Sequence, residues 1–181
     1  ARALVTAIIV CGAAGRMGRL LVQLVLEEPT AKLAGAVEAP GHPALGRDAG
    51  EVAGLAAAGV RLVDTYAPPA DSVTLDFTAP AAALRHIEIA AAAAAAIVVG
   101  TTGFTPEERS RAEAAAARTR AVIAPNMSVG VAVLERLVAA AVRTLGPAFD
   151  VEIVEIHHRL KRDAPSGTAL RLAEVAAEAQ G

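Results

Sequence analysis

The sequence predicts an α/β fold in which a doubly wound parallel sheet is covered by helices on both faces. Short apolar runs rich in Val, Ile and Ala alternate with longer segments of helical periodicity up to about residue 125. Apolar residues make up 54% of the chain and aromatic residues only 2%. A core of small aliphatic side chains suits parallel strands that are buried between helices.

The strands of this sheet are predicted from apolar runs that end at glycine or at polar residues. They are expected at 3–11, 32–38, 60–63, 73–77, 97–99 and 121–124. Helical spacing of apolar residues, with Pro or Ser in several first turns, predicts the helices. They are expected at 17–28, 80–96, 105–118, 128–145 and 166–179. The segment 39–59 contains repeated Gly and Pro, which predicts a loop.

A second, partial domain is predicted after the sheet. Residues 151–157 alternate between apolar and polar side chains, which is typical of a strand. One strand and one further helix cannot form a domain alone, so the strand must join a partner sheet or belong to a shortened chain. The predicted domains are 1–125, which forms the parallel sheet, and 126–181, which forms a partial α+β domain.

Composition excludes several classes of function. The net charge of −2 provides no basic surface for nucleic acid, and the chain has no Trp and one Tyr for base stacking. Its one cysteine, Cys11, excludes a disulfide framework and is expected to be a small buried apolar residue. The longest uncharged apolar run, 89–99, is shorter than the roughly 20 residues of a membrane span. We therefore expect a soluble, cytoplasmic protein.

A glycine-rich turn, Gly12-Ala13-Ala14-Gly15-Arg16-Met17-Gly18, connects the first predicted strand to the first helix. Gly12 permits a tight turn, Gly15 lets the backbone approach a pyrophosphate, and Gly18 lets the helix pack closely on the sheet. The free N–H groups of the helix would face the phosphates, and Arg16 adds a positive charge. The strand–turn–helix context favours a Rossmann-type dinucleotide site, and a plain structural turn is the alternative.

An acidic residue follows the second predicted strand at the position that a dinucleotide site requires. Glu38 comes about 20 positions after Gly18, where an acid binds the adenosine ribose hydroxyls. Ala39 stands where an arginine could hold a 2′-phosphate, although Arg16 or Arg47 could serve that group instead. The predicted cofactor is therefore NADH and/or NADPH, with NADH favoured.

Three further strand ends carry small polar residues, and ligands of open parallel sheets lie outside such ends. Their sequences are Asp76-Phe77-Thr78-Ala79-Pro80, Gly100-Thr101-Thr102-Gly103-Phe104 and Ala124-Pro125-Asn126-Met127-Ser128. The second turn would place glycines and hydroxyls at a nicotinamide, and Asn126 could bond its carboxamide. The alternatives are helix capping by Thr78, Thr105 and Ser128, and simple turn formation by Asn126.

A basic segment leads into the last predicted helix. Its sequence is Glu155-Ile156-His157-His158-Arg159-Leu160-Lys161-Arg162-Asp163-Ala164-Pro165-Ser166-Gly167-Thr168. Cations beside the free N–H groups of a helix N-terminus suit a small dianion such as a dicarboxylate, and a solvated basic surface is the alternative. A metal site that includes His157, His158 and Lys161 is not expected, because no Cys and few carboxylates are near.

Four blocks of the sequence resemble the signature of the 4-hydroxy-tetrahydrodipicolinate reductase (dihydrodipicolinate reductase) family of lysine and diaminopimelate biosynthesis. They are GAAGRMG at 12–18, DFTAP at 76–80, GTTGF at 100–104 with APNMSVGV at 124–131, and EIHHRLKRDAPSGTAL at 155–170. The blocks occur in the family's order and extend over nearly the whole chain. The resemblance implies an NAD(P)H-dependent oxidoreductase that reduces 4-hydroxy-tetrahydrodipicolinate to tetrahydrodipicolinate.

The resemblance also implies roles for individual residues. The cofactor would be bound by Gly12, Ala13, Ala14, Gly15, Arg16, Met17, Glu38, Phe77, Thr78, Gly100, Thr101, Thr102, Ala124, Pro125, Asn126 and Met127. The two substrate carboxylates would be bound by His158, Lys161, Ser166, Gly167 and Thr168. His157 and Lys161 would be the catalytic acid–base pair. Lys161 is the better candidate for the proton donor, and His157 is an orienting group or a second acid.

Members of this family usually continue with strands that complete a substrate-binding and oligomerisation domain and build a homotetramer. We therefore expect this chain to be truncated at its C-terminal end, which leaves its activity and the tetramer open. The expected partner is a small dicarboxylate substrate, without nucleic acid or membrane. Two alternatives remain, namely a non-catalytic dinucleotide-binding fragment of such a reductase and another two-domain dehydrogenase of an amino-acid pathway.

Overall fold

The structure is a computed structural model that describes residues 5–157, 159 and 164–181. Contacts within the chain divide it into two compact units, and the division falls between Ile123 and Ala124. The first unit, hereafter the sheet unit, is built on six strands. The second, hereafter the helical unit, contains two long helices.

Strands and helices alternate along the sheet unit as the apolar pattern predicts. The strands are β1 (Thr6–Cys11), β2 (Ala31–Val37), β3 (Leu62–Val63), β4 (Val73–Asp76), β5 (Ala96–Val99) and β6 (Ala121–Ile123). The helices are α1 (Arg16–Glu27), α2 (Ala49–Val52), α3 (Pro80–Ala92) and α4 (Pro106–Ala116). Neighbouring strands pair in parallel in the order β3-β2-β1-β4-β5-β6. This order is that of the doubly wound Rossmann fold and confirms the predicted sheet.

Two apolar clusters cover the two faces of the sheet. Val10 of β1 packs in the first cluster with Val22 of α1, whereas Cys11 belongs to the second cluster with Ile87 of α3. Adjacent residues of a strand point to opposite faces, so these clusters lie on opposite sides of β1. The strand order reverses between β1 and β4, and a crevice for ligands opens at such a reversal.

The structure corrects two of the predicted boundaries in the sheet unit. The predicted loop 39–59 contains the one-turn helix α2, which Asp48 caps by accepting a hydrogen bond from Gly50 N over 2.8 Å. The same carboxylate accepts from Ala58 N and Gly59 N, both at 2.8 Å, so one side chain organises the segment. The helix predicted to reach residue 96 ends at Ala92, because the chain turns through Ala94 (φ 53°) into β5.

The helical unit contains α5 (Val129–Leu145), a short 3₁₀ turn (Gly146–Ala148) and α6 (Gly167–Gln180). The predicted strand 151–157 is wrong, because these residues adopt no regular secondary structure. A strand needs a neighbour for its backbone N–H and C=O groups, and the described part of this unit offers none. The predicted α+β domain is therefore helical in its described residues, and Val154 and Ile156 are 86% and 91% exposed.

The two long helices of the helical unit are connected by an ion pair. Arg171 Nε of α6 lies 3.5 Å from Glu135 Oε2 of α5. Residues 151–153 line a groove together with Ala173 and Ala176 of α6. Within the described ranges, none of the helices has the length and hydropathy that crossing a bilayer requires.

Candidate functional site

The glycine turn after β1 is built from close backbone contacts. Gly12 adopts a φ of 69°, and a Cβ at this position would lie 2.9 Å from Thr78 Cγ2. A Cβ at Gly18 would overlap the carbonyl oxygen of Gly12, so α1 approaches the turn as closely as its glycine permits. Gly15 is the N-cap of α1 and provides no side-chain cap. Among the residues that the structure describes, the first N–H groups of α1 therefore have neither an intrahelical nor a side-chain partner.

The Glu38 side chain lies against this turn. Its Oε2 accepts a hydrogen bond from Ala14 N over 2.9 Å, and its Oε1 accepts from Ala39 N over 2.9 Å. The backbone is fixed as well, because Glu38 N donates to Val63 O of β3 over 2.9 Å. The carboxylate is thus held at the carboxyl end of β2 beside the first helix.

A cavity of about 520 Å³ opens at the carboxyl ends of these strands. Five of the predicted cofactor residues line it, namely Gly12, Gly15, Glu38, Phe77 and Thr78. Tyr66, Arg85 and His86 also line it and were not predicted from the sequence. An adjoining groove is lined by Arg16 and Met17, whereas the predicted residues Ala13 and Ala14 are buried beneath the turn.

Asp76 is a functional candidate that the sequence analysis did not select. Its side chain is fully buried at the end of β4, and its Oδ1 accepts hydrogen bonds from Thr78 N (2.9 Å) and Thr78 Oγ1 (2.7 Å). Its Oδ2 lies 2.5 Å from Nδ1 of His86 on α3. The ring of His86 meets the edge of Tyr66 at a centroid distance of 4.8 Å. An acid directly after an apolar strand was the available signal, because buried charges are rare unless they are paired.

Cys11 lies in the same cluster. Ligand atoms of Cys11, Asp76 and His86 all lie within 4.8 Å of one another. Burial, followed by the charges of Asp76 and Glu38, raises the pKa of the Cys11 thiol, so the thiol keeps its proton. Both oxygens of Asp76 already accept hydrogen bonds, and a cation would have to displace them.

The turn after β5 is tied to the turn after β4. Gly100 N donates to Asp76 O over 2.9 Å, and Thr101 Oγ1 donates to Thr78 O over 2.9 Å. A Cβ at Gly100 would overlap the ring of Phe77. The structure therefore brings these predicted cofactor residues together, and Thr102 follows them as an exposed residue.

The capping alternatives have different outcomes. Thr105 forms a capping box with Glu108 at the start of α4, and Ser128 caps α5, as predicted. Thr78 does not cap α3. Ala79 occupies that N-cap, and the Thr78 hydroxyl donates to Asp76 because this carboxylate is buried and needs donors.

In the helical unit, the turn at Asn126 contacts the start of α6. Asn126 Nδ2 donates to Thr168 Oγ1 over 3.0 Å, and Asn126 Oδ1 accepts from Ser128 N over 2.8 Å. Asn126 is thus a turn-forming residue and also connects a predicted cofactor segment to a predicted substrate residue. Its neighbours in that segment are Ala124, Pro125 and Met127, the last of which is 42% exposed.

Ser166 and Gly167 form the start of α6. Ser166 is buried and is the N-cap, and its hydroxyl accepts from Ala169 N over 3.1 Å. Its own N–H donates to Glu155 Oε1 over 2.8 Å. The N–H groups of the first turn, including that of Gly167, have no partner within the helix and can bind an anion.

Glu155 connects this helix start to the predicted catalytic residue His157. Its second oxygen, Oε2, lies 2.8 Å from His157 Nε2. Hydrogen bonds from Ser166, and then the one from His157, lower the pKa of Glu155 to about 2. The other predicted residues of this loop, His158 and Lys161, lie outside the described residues.

Two family models match the chain. The model described as dihydrodipicolinate reductase, N-terminus, matches residues 6–127, and the model described as dihydrodipicolinate reductase, C-terminus, matches residues 130–181. The chain belongs to the dihydrodipicolinate reductase family. The family that the four sequence blocks resemble is therefore confirmed.

Curated relatives named 4-hydroxy-tetrahydrodipicolinate reductase are similar to this chain. The protein of Anaeromyxobacter dehalogenans (strain 2CP-C) is 53% identical over 178 residues, which is 97% of this chain. The protein of Geobacter sulfurreducens is 49% identical over 178 residues, also 97% of this chain. The chain spans 66% of the length of both relatives.

Solved structures place the fold in the same family. The chain is similar to a dipicolinate-bound dihydrodipicolinate reductase from Paenisporosarcina sp. TG-14, with 27% identity and a TM-score of 0.72. That match covers 97% of this chain and 67% of the other. The chain is also similar to an amine dehydrogenase from Mycobacterium smegmatis, with 19% identity and a TM-score of 0.52. That match covers 65% of this chain and 38% of the dehydrogenase, and it shows a shared fold alone.

Proposed function

We propose that this chain carries out the NAD(P)H-dependent reduction of 4-hydroxy-tetrahydrodipicolinate to tetrahydrodipicolinate in lysine and diaminopimelate biosynthesis. The observation that carries the proposal is the Glu38 carboxylate, held 2.9 Å from Ala14 N at the mouth of the cavity. This contact joins the acid that is expected to bind the adenosine ribose to the glycine turn, in one site. The reaction is supported by relatives of about half-identical sequence that are named for it.

The residues of the sheet unit fit a dinucleotide. Gly12 and Gly15 allow the close approach of the turn to Thr78 and to its own backbone, and the uncapped start of α1 would hold the pyrophosphate. Glu38 would hold the adenosine ribose, and Thr78, Thr101 and the other predicted residues of these turns would border the nicotinamide. When bound, the nicotinamide supplies a hydride to the unsaturated imine that loss of water from the hydroxy substrate produces.

The start of α6 supports binding of a dicarboxylate. The Thr168 hydroxyl accepts its hydrogen bond from Asn126, which leaves its own hydrogen free to be donated to a carboxylate. The N–H groups of the first helical turn are donors of the same kind. We assign His158 and Lys161 to the substrate carboxylates, and Lys161 to the proton that the reduced substrate needs.

The experiment has two steps. NADH is titrated into the protein by fluorescence, and oxidation of NADH is then followed with and without 4-hydroxy-tetrahydrodipicolinate. We expect saturable binding and substrate-dependent oxidation, and we expect Lys161→Ala to abolish turnover while NADH affinity stays nearly unchanged. Binding without substrate-dependent oxidation would instead support a non-catalytic dinucleotide-binding chain. Turnover that survives in Lys161→Ala would assign the proton donor elsewhere.

We also propose that NADH is preferred over NADPH. Glu38 places a carboxylate at the ribose, where a 2′-phosphate would be repelled, and Ala39 offers that phosphate no charge. Arg85 lines the same cavity and Arg16 the adjoining groove, so these two cations could oppose the preference. Replacing Glu38 with Gln should raise NADPH affinity relative to NADH by about tenfold, the factor that removal of 1.4 kcal/mol of repulsion produces. An unchanged ratio of dissociation constants would contradict the proposed selectivity.

A further inference from the structure

We propose that Glu155 is a positioning residue that fixes one tautomer of the His157 ring and ties that ring to the start of α6. The inference rests on the proposed function for its catalytic meaning. Its physical content is a hydrogen-bond arrangement within one unit of the chain, and this can be measured separately.

The geometry assigns one oxygen of the carboxylate to each partner. Oε1 accepts from Ser166 N and Oε2 faces His157 Nε2, each over 2.8 Å. A monodentate contact to His157 alone would leave the side chain free to rotate. The second contact, made to backbone at the N-cap of α6, fixes the direction from which the carboxylate approaches the ring.

Ionisation of Glu155 decides which ring nitrogen carries hydrogen. Its hydrogen bonds hold its pKa at about 2, so at neutral pH the carboxylate is ionised and can only accept. The contact at 2.8 Å therefore requires a hydrogen on Nε2 of His157. In the neutral ring this leaves Nδ1 as the nitrogen with the lone pair.

This tautomer restricts what His157 can do. A neutral ring with a lone pair on Nδ1 accepts a hydrogen bond from an ammonium or hydroxyl group, and it has no second proton to donate. Of the two roles predicted from the sequence, the neutral ring can take that of the orienting group, whereas the role of a second acid would require a further proton on Nδ1. Because the same carboxylate binds Ser166 N, His157 is also held in register with the proposed substrate-binding residues of α6.

The tautomer can be measured directly by long-range ¹H–¹⁵N correlation spectroscopy of the imidazoles at a pH where they are neutral. His157→Gln identifies the signals of this ring among the four histidines. We expect the wild-type ring to carry its hydrogen on Nε2. A wild-type ring with hydrogen on Nδ1, or an equal mixture, would overturn the proposal without any substitution of Glu155.

Variants then separate positioning from folding. In Glu155→Gln the amide oxygen can still accept from Ser166 N, which turns the amide NH₂ towards His157 and should move the ring hydrogen to Nδ1. Glu155→Asp keeps the charge and should partly restore the wild-type tautomer. Glu152→Gln removes an exposed carboxylate from the same segment and should change nothing. An unchanged tautomer in folded Glu155→Gln would overturn the proposal.

Turnover provides the second readout. Glu155→Gln should lower kcat by about tenfold, since an orienting contact is lost, while KM and NADH affinity change little. Glu155→Asp should recover part of kcat. If the wild type binds NADH but has no turnover, the proposed function fails, and the tautomer still decides the placement of His157. If turnover is normal and Glu155→Gln leaves both kcat and tautomer unchanged, the proposed function survives and the positioning role is rejected.

Discussion

The sheet unit and the helical unit each contain a carboxylate that shares its two oxygens between a backbone N–H group and a histidine. Asp76 does so with His86, and Glu155 does so with His157. The two pairs differ in burial. The Asp76 side chain is 0% and that of His86 14% exposed, whereas those of Glu155 and His157 are 27% and 41% exposed.

Because of this difference in burial, we expect the Asp76–His86 pair to contribute mainly to stability and the Glu155–His157 pair to respond to pH and to bound ligands. A fully buried carboxylate that loses its partners is left uncompensated, so the first pair fixes the end of β4 against α3. Both side chains of the second pair are partly exposed to water, so the same arrangement there can orient a ring without a large contribution to stability. Equal hydrogen bonds therefore have different consequences in the two units.

Replacing Asp76 with Ala should produce the largest effect. It leaves the His86 ring and the Thr78 donors without their fully buried partner, and we expect a loss of about 4 kcal/mol in the free energy of unfolding. Glu155→Ala should cost much less at neutral pH, since water replaces the lost contacts. Urea denaturation followed by circular dichroism measures both. Asp71→Ala, at an exposed acid of the sheet unit, is the control, and similar losses for all three variants would contradict the comparison.

A pair of identical substitutions compares the strand that formed with the one that did not. Ile97 of β5 is 1% exposed, and Ile97→Ala should cost about 3 kcal/mol by leaving a cavity in the core. Ile156, in the predicted strand that is absent, is 91% exposed, and Ile156→Ala should change stability by less than about 0.5 kcal/mol. The same denaturation measurement applies. A loss at Ile156 as large as that at Ile97 would mean that this segment is buried in solution.

The smallest effect is the acid response of the exposed pair. The pKa of Glu155 is lowered from its ordinary value of 4.5 to about 2, so its stabilising contacts are fully present above pH 4.5 and are lost as the pH falls through about 2. The amide resonance of Ser166 should follow this titration, and it should not do so in Glu155→Gln. Glu152→Gln serves as the control. A Ser166 midpoint near 4.5 would show that the carboxylate is not held by these donors.

Most of the sheet unit could be predicted from the sequence because its strands pair with other strands of the same repeating strand–helix pattern. Each buried strand is followed by a helix or loop that returns the chain to the same sheet, so periodicity alone identifies the elements. Residues 151–157 have the same alternation of apolar and polar side chains. A strand forms only when its backbone can hydrogen-bond to a neighbouring strand, and the alternation does not reveal whether one is present. The short helix α2 was missed for the opposite reason, since it depends on the hydrogen bonds of one residue, Asp48.

The sequence predicted which residues lie together at the glycine turn, because the spacing of the motif specifies them. Ala14 and Glu38 meet at one turn because the motif spacing reflects one strand–helix–strand unit. The pairing of Asp76 with His86 was missed, since Asp76 stands in a recognised block but His86 lies outside all of them and only α3 brings the two together. Glu155 stood inside a recognised block, but its role depends on a contact to Ser166 that only the folded chain provides.

Tyr66 is the only tyrosine in a chain without tryptophan, and it lines the cavity beside Glu38 and Thr78. All tyrosine emission of this chain therefore originates at the wall of the proposed dinucleotide site. A reduced nicotinamide bound nearby would accept energy from that ring, so the loss of this one emission band would report occupancy without a label. Because aromatic residues are so few, the emission of one tyrosine is enough to follow binding at this site in the unmodified chain.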